Sequence, residues 1–383
     1  MAQPGGVTAP GMTPPSPGRP PWVSSLTLKL LKRDVQRAIV NVTVILVIGA
    51  IVEIKTGLFF NPSNLEAISI QIAVVTICAC PTTLIMIAGA IDVSVAGTVA
   101  LSGVVAGLLI THGVDLPLAF VLATLTGVLV GLVNSFLVLV VGITSLISTI
   151  GTLYGTQGVA NLLTNGLPLA GLPSSFSVVG NNSIGGIPIA AFMIVGVVAI
   201  FVAIQRYTSL GRYAVATGSN AAAAFLNGVN TRRTMTICFM LTGAAAGWGG
   251  VVYASRVGTP APVMDPDLFF QVIVAIVVGG TSLFGGEGSV FGTLLGSVLI
   301  GVLNNGLDLL GISTFWQYIA LGALLVASVG SDTVMRRDSV QRVLQRWARG
   351  VLETGGPGGP PSLRADAVVE AESPIKQKRA TAP

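Results

Sequence analysis

Charged residues are scarce in this sequence, in which Asp, Glu, Lys and Arg together make up 9% of 383 residues. An average soluble domain has about 25% charged residues, so this shortage excludes a water-soluble globule. Hydrophobic residues reach 52%, and the mean hydropathy is +0.83. We therefore expect an all-α polytopic transmembrane helical bundle, because apolar helices satisfy their own backbone hydrogen bonds in lipid.

Residues that bind metals or perform catalysis are equally few. The one histidine, His112, stands near Asp115 at the end of an apolar run, which is typical of a loop residue. Cys78, Cys80 and Cys238 lie in apolar runs with no histidine nearby, so we expect buried hydrophobic side chains rather than metal ligands or disulfides. The chain has no G-x-x-x-x-G-K-[ST] motif and so has no P-loop for ATP. We predict no catalytic residue, metal or cofactor in this chain.

The few basic residues are concentrated in three segments. Residues 39–205 contain five charged residues, and residues 234–331 contain five more. Nearly all Lys and Arg residues lie in residues 19–37, in residues 206–233, or after Met335. The positive-inside bias therefore places these three segments in the cytoplasm. The net charge of +5 then reflects topology and anionic lipid headgroups rather than nucleic-acid binding.

Apolar length predicts about ten membrane crossings, at roughly 20 residues per helix. An even number places both termini on one side, and the basic loop 206–233 follows the sixth crossing, again on the inside. Charge and parity thus agree on a cytoplasmic position for both termini. The predicted spans are 39–60, 65–90, 93–112, 117–141, 143–164, 187–205, 234–254, 268–284, 289–311 and 314–333.

The connection between the second and third spans leaves an alternative open. It is very short and contains Asp92, and Pro81 lies a few turns before it. Because proline kinks a helix and frees a carbonyl group, the two spans can instead form one broken, partly re-entrant unit. The total would then be eight spans. In either case Asp92 lies near a predicted span end, and we expect it to be solvated.

The terminal segments differ from the membrane domain in composition. Residues 1–22 are rich in Pro and Gly and predict a disordered tail, and residues 355–383 predict another. Residues 23–38 alternate leucine with Lys and Arg, which favours a basic helix lying on the cytoplasmic membrane surface. Residues 334–354 predict a second basic amphipathic helix. The transmembrane domain is expected to cover residues 39–333.

Glycines recur at helical spacing in two spans. Gly243, Gly247 and Gly250 fall in the seventh span, and Gly292 and Gly296 fall in the ninth. Small residues at such spacing let helix backbones approach closely in lipid. We predict that these glycines pack helices together rather than contact a ligand.

Residues 205–233 form the longest charged interruption within the membrane region. Asn220 can cap the Ala-rich turn that follows, and Gly228 can end it. A short helix isolated between two spans needs a partner to bury it. The alternative is an ordinary loop.

Four blocks in this sequence resemble the permease subunits of ribose-type ATP-binding-cassette sugar importers, a family that also includes the branched-chain amino acid permeases. The blocks are IAGAIDVSVAGTVALSG at 87–103, a Gly- and Asn-containing run at 142–169, LGRYAVATGSNAAAAFLNGVNTRR at 210–233, and a long Gly-rich block at 277–318. The last block favours the sugar branch over the amino acid branch.

The resemblance implies partners as well as a function. Such permeases pair with a second copy or a homologue, bind separate ATPase subunits that hold ATP and Mg, and receive the sugar from an extracytoplasmic binding protein. It implies a multi-pass protein of the bacterial cytoplasmic membrane with residues 39–333 as its permease domain. It also assigns the loop 206–233 to contact with the ATPase.

On this chain, Gly211, Arg212, Asn220 and Gly228 match the family's loop pattern. Small and apolar side chains in the same loop suit close contact with the ATPase. Two positions depart from the family: Ala221–Ala224 carries no acid where the family has Glu, and Ala90 replaces a glycine before Asp92. The residues predicted to couple to the ATPase are Gly211, Arg212, Asn220, Ala223, Phe225 and Gly228.

A path for a hydroxyl-rich solute needs polar groups within apolar spans, because unpaired polar groups are costly there. Each such residue can alternatively serve as an interhelical hydrogen bond. Two other functions stay open: a branched-chain amino acid permease, and an ion-coupled secondary transporter, which would need a buried ionisable pair and inverted repeats. The candidate path residues are Asn134, Gln157, Asn161, Asn304, Asn305, Trp316 and Gln317.

Overall fold

The computed structural model describes residues 21–263 and 267–330, and in them almost every regular element is a helix. Six of the described helices are long and apolar enough to cross a membrane. The protein is therefore an all-α polytopic membrane protein. The tails predicted for residues 1–22 and 355–383 and the helix predicted for 334–354 lie outside the described residues, apart from Pro21 and Trp22, where the first helix begins.

The helices follow the apolar runs closely, with one β-hairpin between the sixth and seventh. The first seven are α1 (Pro21–Thr56), α2 (Pro62–Ile87), α3 (Val95–Thr111), α4 (Leu116–Phe136, continued by a π-helical turn at Leu137–Val141), α5 (Ser145–Thr164), α6 (Ser174–Asn181) and α7 (Ile189–Tyr207). The hairpin pairs β1 (Ser183–Ile184) with β2 (Ile187–Pro188) in antiparallel register. The others are α8 (Ser209–Ser219), α9 (Ala221–Leu226), α10 (Thr231–Val257), α11 (Leu268–Val278), α12 (Val290–Leu309) and α13 (Thr314–Gly330).

Two helix boundaries differ from the sequence prediction. The helix α1 runs without a break through residue 38, where an interfacial helix was predicted to meet the first span. The helix α11 ends at Val278, although a span to residue 284 was predicted. It ends there because Gly279 and Gly280 follow, and Gly280 has a φ of 95°, which ends a helix readily. At 11 residues α11 is too short to cross a bilayer, so the number of crossings stays a prediction.

The helix α10 is packed against α2, α3 and α4 through its glycines. A Cβ at Gly243 would collide with the carbonyl oxygen of Gly127 on α4, and a Cβ at Gly250 would collide with that of Val99 on α3. Gly247 likewise faces the backbone of α4 at Ala123 and Thr124. In the ninth predicted span, Gly292 and Gly296 lie against the backbone of Gly279 and Ala275. The prediction that these glycines pack helices is confirmed.

Residues 87–90, 205–230 and 279–289 lie together at one end of the bundle, which we call the loop end. The Gly286 N–H donates to the carbonyl of Ile87 at 2.8 Å, and Gly218 lies against both segments. The helix α1 also reaches this end, because the Arg37 guanidinium donates to the Gly280 carbonyl at 2.6 Å. The basic start of α1 and the basic loop 206–233 therefore lie at the same end.

The opposite end carries the α5–α7 connection and the end of α10. The Leu169 N–H donates to the Pro260 carbonyl at 2.8 Å, and the Gly180 N–H donates to Ser255 Oγ at 2.8 Å. Arg256 lies at this end, away from the loop end. This arrangement agrees with the predicted topology, in which Arg256 is on the side opposite the basic loop.

Candidate functional site

The segment between α7 and α10 folds as two short helices, α8 and α9, with an extended residue between them. Asn220 is that residue, and its Oδ1 accepts a hydrogen bond from the Ala223 N–H at 2.9 Å. Gly228 follows the end of α9 with a φ of 82°, a conformation that glycine adopts without strain. The predicted cap at Asn220 and the predicted stop at Gly228 are both confirmed.

The helix α8 is attached to the loop end of the bundle through small residues. A Cβ at Gly211 would collide with the backbone of Gln205, and Gly218 lies against the Ile87 carbonyl. Ala214 is fully buried in a cluster with Ile87 and Ala88. Gly211 is therefore a packing residue within this chain, whereas Arg212 is exposed. The helix α8 is therefore in direct backbone contact with the end of α2.

The helix α9 exposes apolar side chains. Phe225 is 68% exposed and Leu226 is 85% exposed, and Ala223 is exposed beside them. Only Ala224 of this short helix is buried against the rest of the chain. Exposed apolar surface is costly in water, and contact of these side chains with an ATPase stays a prediction.

The structure places the candidate path residues in separate surroundings. Asn134 is fully buried, and its side chain makes hydrogen bonds with Ser94 and Thr152. On α5, Asn161 Nδ2 donates to the Gln157 carbonyl of its own helix at 2.8 Å. On α12, Asn305 exchanges hydrogen bonds with Asn64 of α2 at 2.8 and 3.0 Å.

The other three candidates lie on α12 and α13. Asn304 is 6% exposed, and its Oδ1 has no hydrogen-bond partner among the described residues. Trp316 is 60% exposed, and Gln317 Nε2 donates to Asp308 Oδ1 at 2.6 Å near the start of α13. Asn134 and Asn305 thus make interhelical hydrogen bonds, and a transport role for any of the seven residues stays a prediction.

Asp92 lies in a buried polar network between α2 and α3. The expectation that it is solvated is wrong, because it is only 2% exposed. Its carboxylate accepts hydrogen bonds from the Ser94 N–H at 2.9 Å and from Ser94 Oγ at 2.6 Å. Asn134 Nδ2 donates to Ser94 Oγ at 2.8 Å, and Thr152 Oγ1 donates to Asn134 Oδ1 at 2.6 Å. The network therefore joins the α2–α3 connection to α4 and α5.

Ser94→Ala is expected to destabilise the protein by about 2 kcal/mol, because it removes a hydrogen bond to a buried carboxylate and one from a buried amide. The measurement is the thermal unfolding of the purified protein in detergent. Ser69→Ala is the matched control, since Ser69 Oγ donates only to the Glu66 carbonyl one turn earlier in its own helix. Equal losses in the two variants would contradict the role of the network.

A polar cavity at the end opposite the loop end was not predicted from the sequence. It has a volume of about 280 Å³ and lies between α2, α10 and α11. Its polar lining comes from Gln71, Tyr253, Arg256 and Gln271. The sequence did contain a signal for it, because α2 and α11 are apolar helices that each carry a glutamine. The candidate path residues were selected from the sequence by the same criterion, a polar side chain within an apolar span.

The described residues hold no group of three His, Cys, Asp or Glu side chains that could bind a metal ion. The three cysteines are buried and unpaired, as predicted.

The match to known proteins covers most of the chain. Residues 64–329 match the family described as branched-chain amino acid transport system / permease component, and the chain belongs to this family. It is 35% identical to the probable ABC transporter permease protein YphD of Escherichia coli K12, over 81% of this chain and 94% of that protein. No solved structure shows a significant match to the chain.

Two further relatives are named for the sugar that they import. The ribose import permease protein RbsC of Escherichia coli K12 is 34% identical, over 75% of this chain and 91% of that protein. The D-allose transport system permease protein AlsC of the same strain is 30% identical, over 73% of this chain and 86% of that protein. The chain is thus similar to sugar permeases over nearly their full length.

Proposed function

We propose that this protein is the membrane-spanning subunit of an ATP-binding-cassette importer for a pentose, a hexose or a related polyol. The observation that carries the proposal is its similarity to the ribose and D-allose permeases over about three quarters of its own length. Because the sequence has no P-loop, ATP and Mg bind to a separate ATPase subunit. A binding protein on the outer face of the bacterial cytoplasmic membrane delivers the sugar.

The loop end supports the proposed contact with the ATPase. The helix α9 presents Phe225 and Leu226 outward, and α8 connects that surface to the end of α2 through Gly218. Closure of the ATPase subunits against α9 would then move α8 and α2 together. The contact depends on apolar shape, since Ala221–Ala224 carries no acid for a salt bridge.

The helix α5 supports pairing with a second permease copy or a homologue. Gly151, Gly155 and Gly158 share one face of α5, and in the part of the chain that the structure describes no atom lies within 4 Å of the place where a Cβ would stand on each. Small residues of this kind allow close approach of a helix from another subunit. Asn161 lies beside that face, so pairing along α5 would place Asn161 at the interface between the two subunits.

The test of this proposal is sugar uptake into intact cells that express the complete transporter. We expect uptake of radiolabelled D-ribose or D-allose to continue after the ion gradients are collapsed, as long as ATP remains. Uptake by this chain reconstituted alone, driven by a proton or sodium gradient, would instead identify an ion-coupled secondary transporter. Absence of uptake of every sugar tested, with uptake of leucine, would identify the amino acid permease that the family description suggests.

The proposed topology has a separate test. We expect a cysteine at position 220 to stay unlabelled in intact cells by a membrane-impermeant thiol reagent, because the loop 206–233 is basic and faces the cytoplasm. Ser63→Cys is the positive control, because Ser63 is exposed and lies at the opposite end. The native cysteines are buried and react slowly. Labelling of position 220 from outside would contradict the topology.

A further inference from the structure

Two side chains cap the first turn of α12 at the loop end. The first N–H groups of a helix have no partner within the helix. Ser289 stands just before α12, and its Oγ accepts a hydrogen bond from the Gly292 N–H at 3.2 Å. The Val290 N–H instead donates to Gln205 Oε1 on α7, at 2.9 Å. A residue that lies 85 positions earlier in the chain therefore completes the start of α12.

The Gln205 amide binds the chain on both sides of Ser289. Its Nε2 donates to the Gly288 carbonyl at 2.8 Å, while its Oε1 accepts from the Val290 N–H. We call this pair of hydrogen bonds the Gln205 clamp. A glutamine amide has both donors and an acceptor, and no other uncharged side chain of this length has both. The clamp therefore depends on the residue type as well as on its position.

The backbone of Gln205 contacts the segment that is proposed to bind the ATPase. Gln205 lies near the end of α7, and α8 begins at Ser209. A Cβ at Gly211 of α8 would collide with the Gln205 carbonyl, so α8 lies this close because position 211 is a glycine. A single residue thus contacts α8 through its backbone and α12 through its side chain.

The first turn of α12 is also joined to the end of α2. Thr83 and Thr293 are fully buried, and their hydroxyl groups form a hydrogen bond of 2.7 Å between the two helices. A Cβ at Gly288 would collide with the Ile87 side chain. The end of α2 and the start of α12 are therefore packed together, and the Gln205 clamp connects them to α8.

The helix α8 is attached to the bundle at two points on one face. Gly211 and Gly218 are seven residues apart, which places them on the same face of a helix about 10 Å from each other. Gly211 lies against Gln205, and Gly218 lies against the Ile87 carbonyl. A rigid helix that is held at one point can rotate about that point. Two points of attachment make it move together with its support.

We propose that Gln205 is a positioning residue that passes the movement of α8 to α12 when the ATPase closes. The inference rests on the proposed function, and it adds a second point of transmission to the contact between Gly218 and α2. The helix α12 carries the candidate path residues Asn304 and Asn305, so its displacement alters their surroundings. Without the clamp, α8 rotates about Gly218, and ATP is hydrolysed with little import of sugar.

Gln205→Met tests the clamp through the number of sugar molecules imported per ATP hydrolysed. Methionine is unbranched and similar in length, and it has no donor and only a weak acceptor, so both hydrogen bonds are lost. In vesicles that contain the complete transporter, we expect the import of D-ribose or D-allose per ATP to fall about tenfold, because two neutral hydrogen bonds together correspond to roughly that factor. ATP hydrolysis should be retained, since α9 is unchanged.

Two further variants show whether the effect belongs to the clamp. Gln205→Glu keeps an acceptor for the Val290 N–H but has no donor for the Gly288 carbonyl, and it should restore part of the ratio. Asn41→Leu is the matched control, because Asn41 of α1 is buried and its Nδ2 donates to the Val278 carbonyl at 3.1 Å, beside the same glycine-rich connection. Its ratio should stay near that of the unmodified transporter. An equal fall in Asn41→Leu and Gln205→Met would show a general loosening of the loop end and overturn the proposal.

The distance between two spin labels tests the clamp independently of sugar import. Tyr213 on α8 and Phe291 on α12 are exposed, so Tyr213→Cys and Phe291→Cys can each carry a label, while the three native cysteines are buried. We expect the distance between the labels to stay constant when ATP is added to the purified transporter, because the clamp keeps α8 and α12 together. With Gln205→Met in addition, ATP should change the distance. Gln205→Glu takes the place of Gln205→Met in both measurements if the methionine variant does not assemble.

The outcomes separate the two proposals. If the unmodified transporter imports no sugar at all, the proposed function fails and the role of the clamp fails with it. If it imports sugar while the clamp variant keeps both the ratio and a constant distance, Gln205 does not position α12 and the proposed function stands. A change in only one of the two measurements also overturns the role of Gln205. A lowered ratio together with a distance that changes on addition of ATP supports it.

Discussion

Gly243→Val is expected to destabilise the helix bundle by about 3 kcal/mol or more, the largest stability loss that we predict. A Cβ at Gly243 would collide with the carbonyl oxygen of Gly127, and a Cβ at Gly127 would collide with that of Gly243. Backbone atoms cannot rotate away as side chains do, so α4 and α10 must separate. Overpacking usually lowers the free energy of unfolding by about 1–3 kcal/mol. We expect a clash between two backbones to cost at least the upper value of that range.

Cys238 provides the measurement for this prediction. It is fully buried on α10, so heating exposes it to a thiol-reactive fluorescent dye as the bundle opens. Gly196→Val on α7 is the matched control, because no atom of residues 21–263 or 267–330 lies within 4 Å of a Cβ at that position. Its melting temperature should stay near that of the unmodified protein. Equal melting temperatures for the two variants would show that the α4–α10 contact is not rigid.

Phe225→Glu is expected to abolish coupled transport. Phe225 is 68% exposed on α9, where the proposed ATPase contact would bury it, and a buried glutamate there would lack a partner. Loss of a central interface anchor commonly costs about 2 kcal/mol or more, which weakens association about 30-fold. The measurements are co-purification of the ATPase and stimulation of ATP hydrolysis by sugar and binding protein. Membrane insertion should be normal.

Ala221→Glu is the matched control for Phe225→Glu. It adds the same charge to the same helix, at the first position of α9, where a negative charge interacts favourably with the helix dipole. It also restores the acid that the family pattern carries after the asparagine. We expect association to be retained or strengthened. Normal association of Phe225→Glu would mean that the ATPase does not bind this surface, and failed insertion would mean that α9 packs on its own membrane domain.

The local features of the coupling segment were predictable because they depend on neighbouring residues. An asparagine before an alanine run caps a helix through its own side chain, and a glycine after the run ends it, wherever the segment lies in the fold. Asn220 and Gly228 do so. The attachment of α8 to the end of α2 was not predictable, because Gly218 and Ile87 are distant in the sequence and meet only in the folded bundle.

The polar residues within the helices show the limit of prediction more clearly. The sequence identified Asn134 and Asn305 as polar residues in apolar spans, but their partners Ser94 and Asn64 lie on other elements. Asp92 was expected in water because it follows a predicted span end. It is buried instead, because α4 and α5 pack over the connection in which it lies.

The sequence by itself determined the class of protein, most helix positions and the glycine faces, because the length of an apolar run and the spacing of small residues are properties of single helices. Only the tertiary structure decided which polar side chains share one space. Gln71 lies on α2, far along the chain from Arg256 on α10 and Gln271 on α11. Their convergence depends on helix rotation, depth and crossing angle, which periodicity within a single helix does not specify.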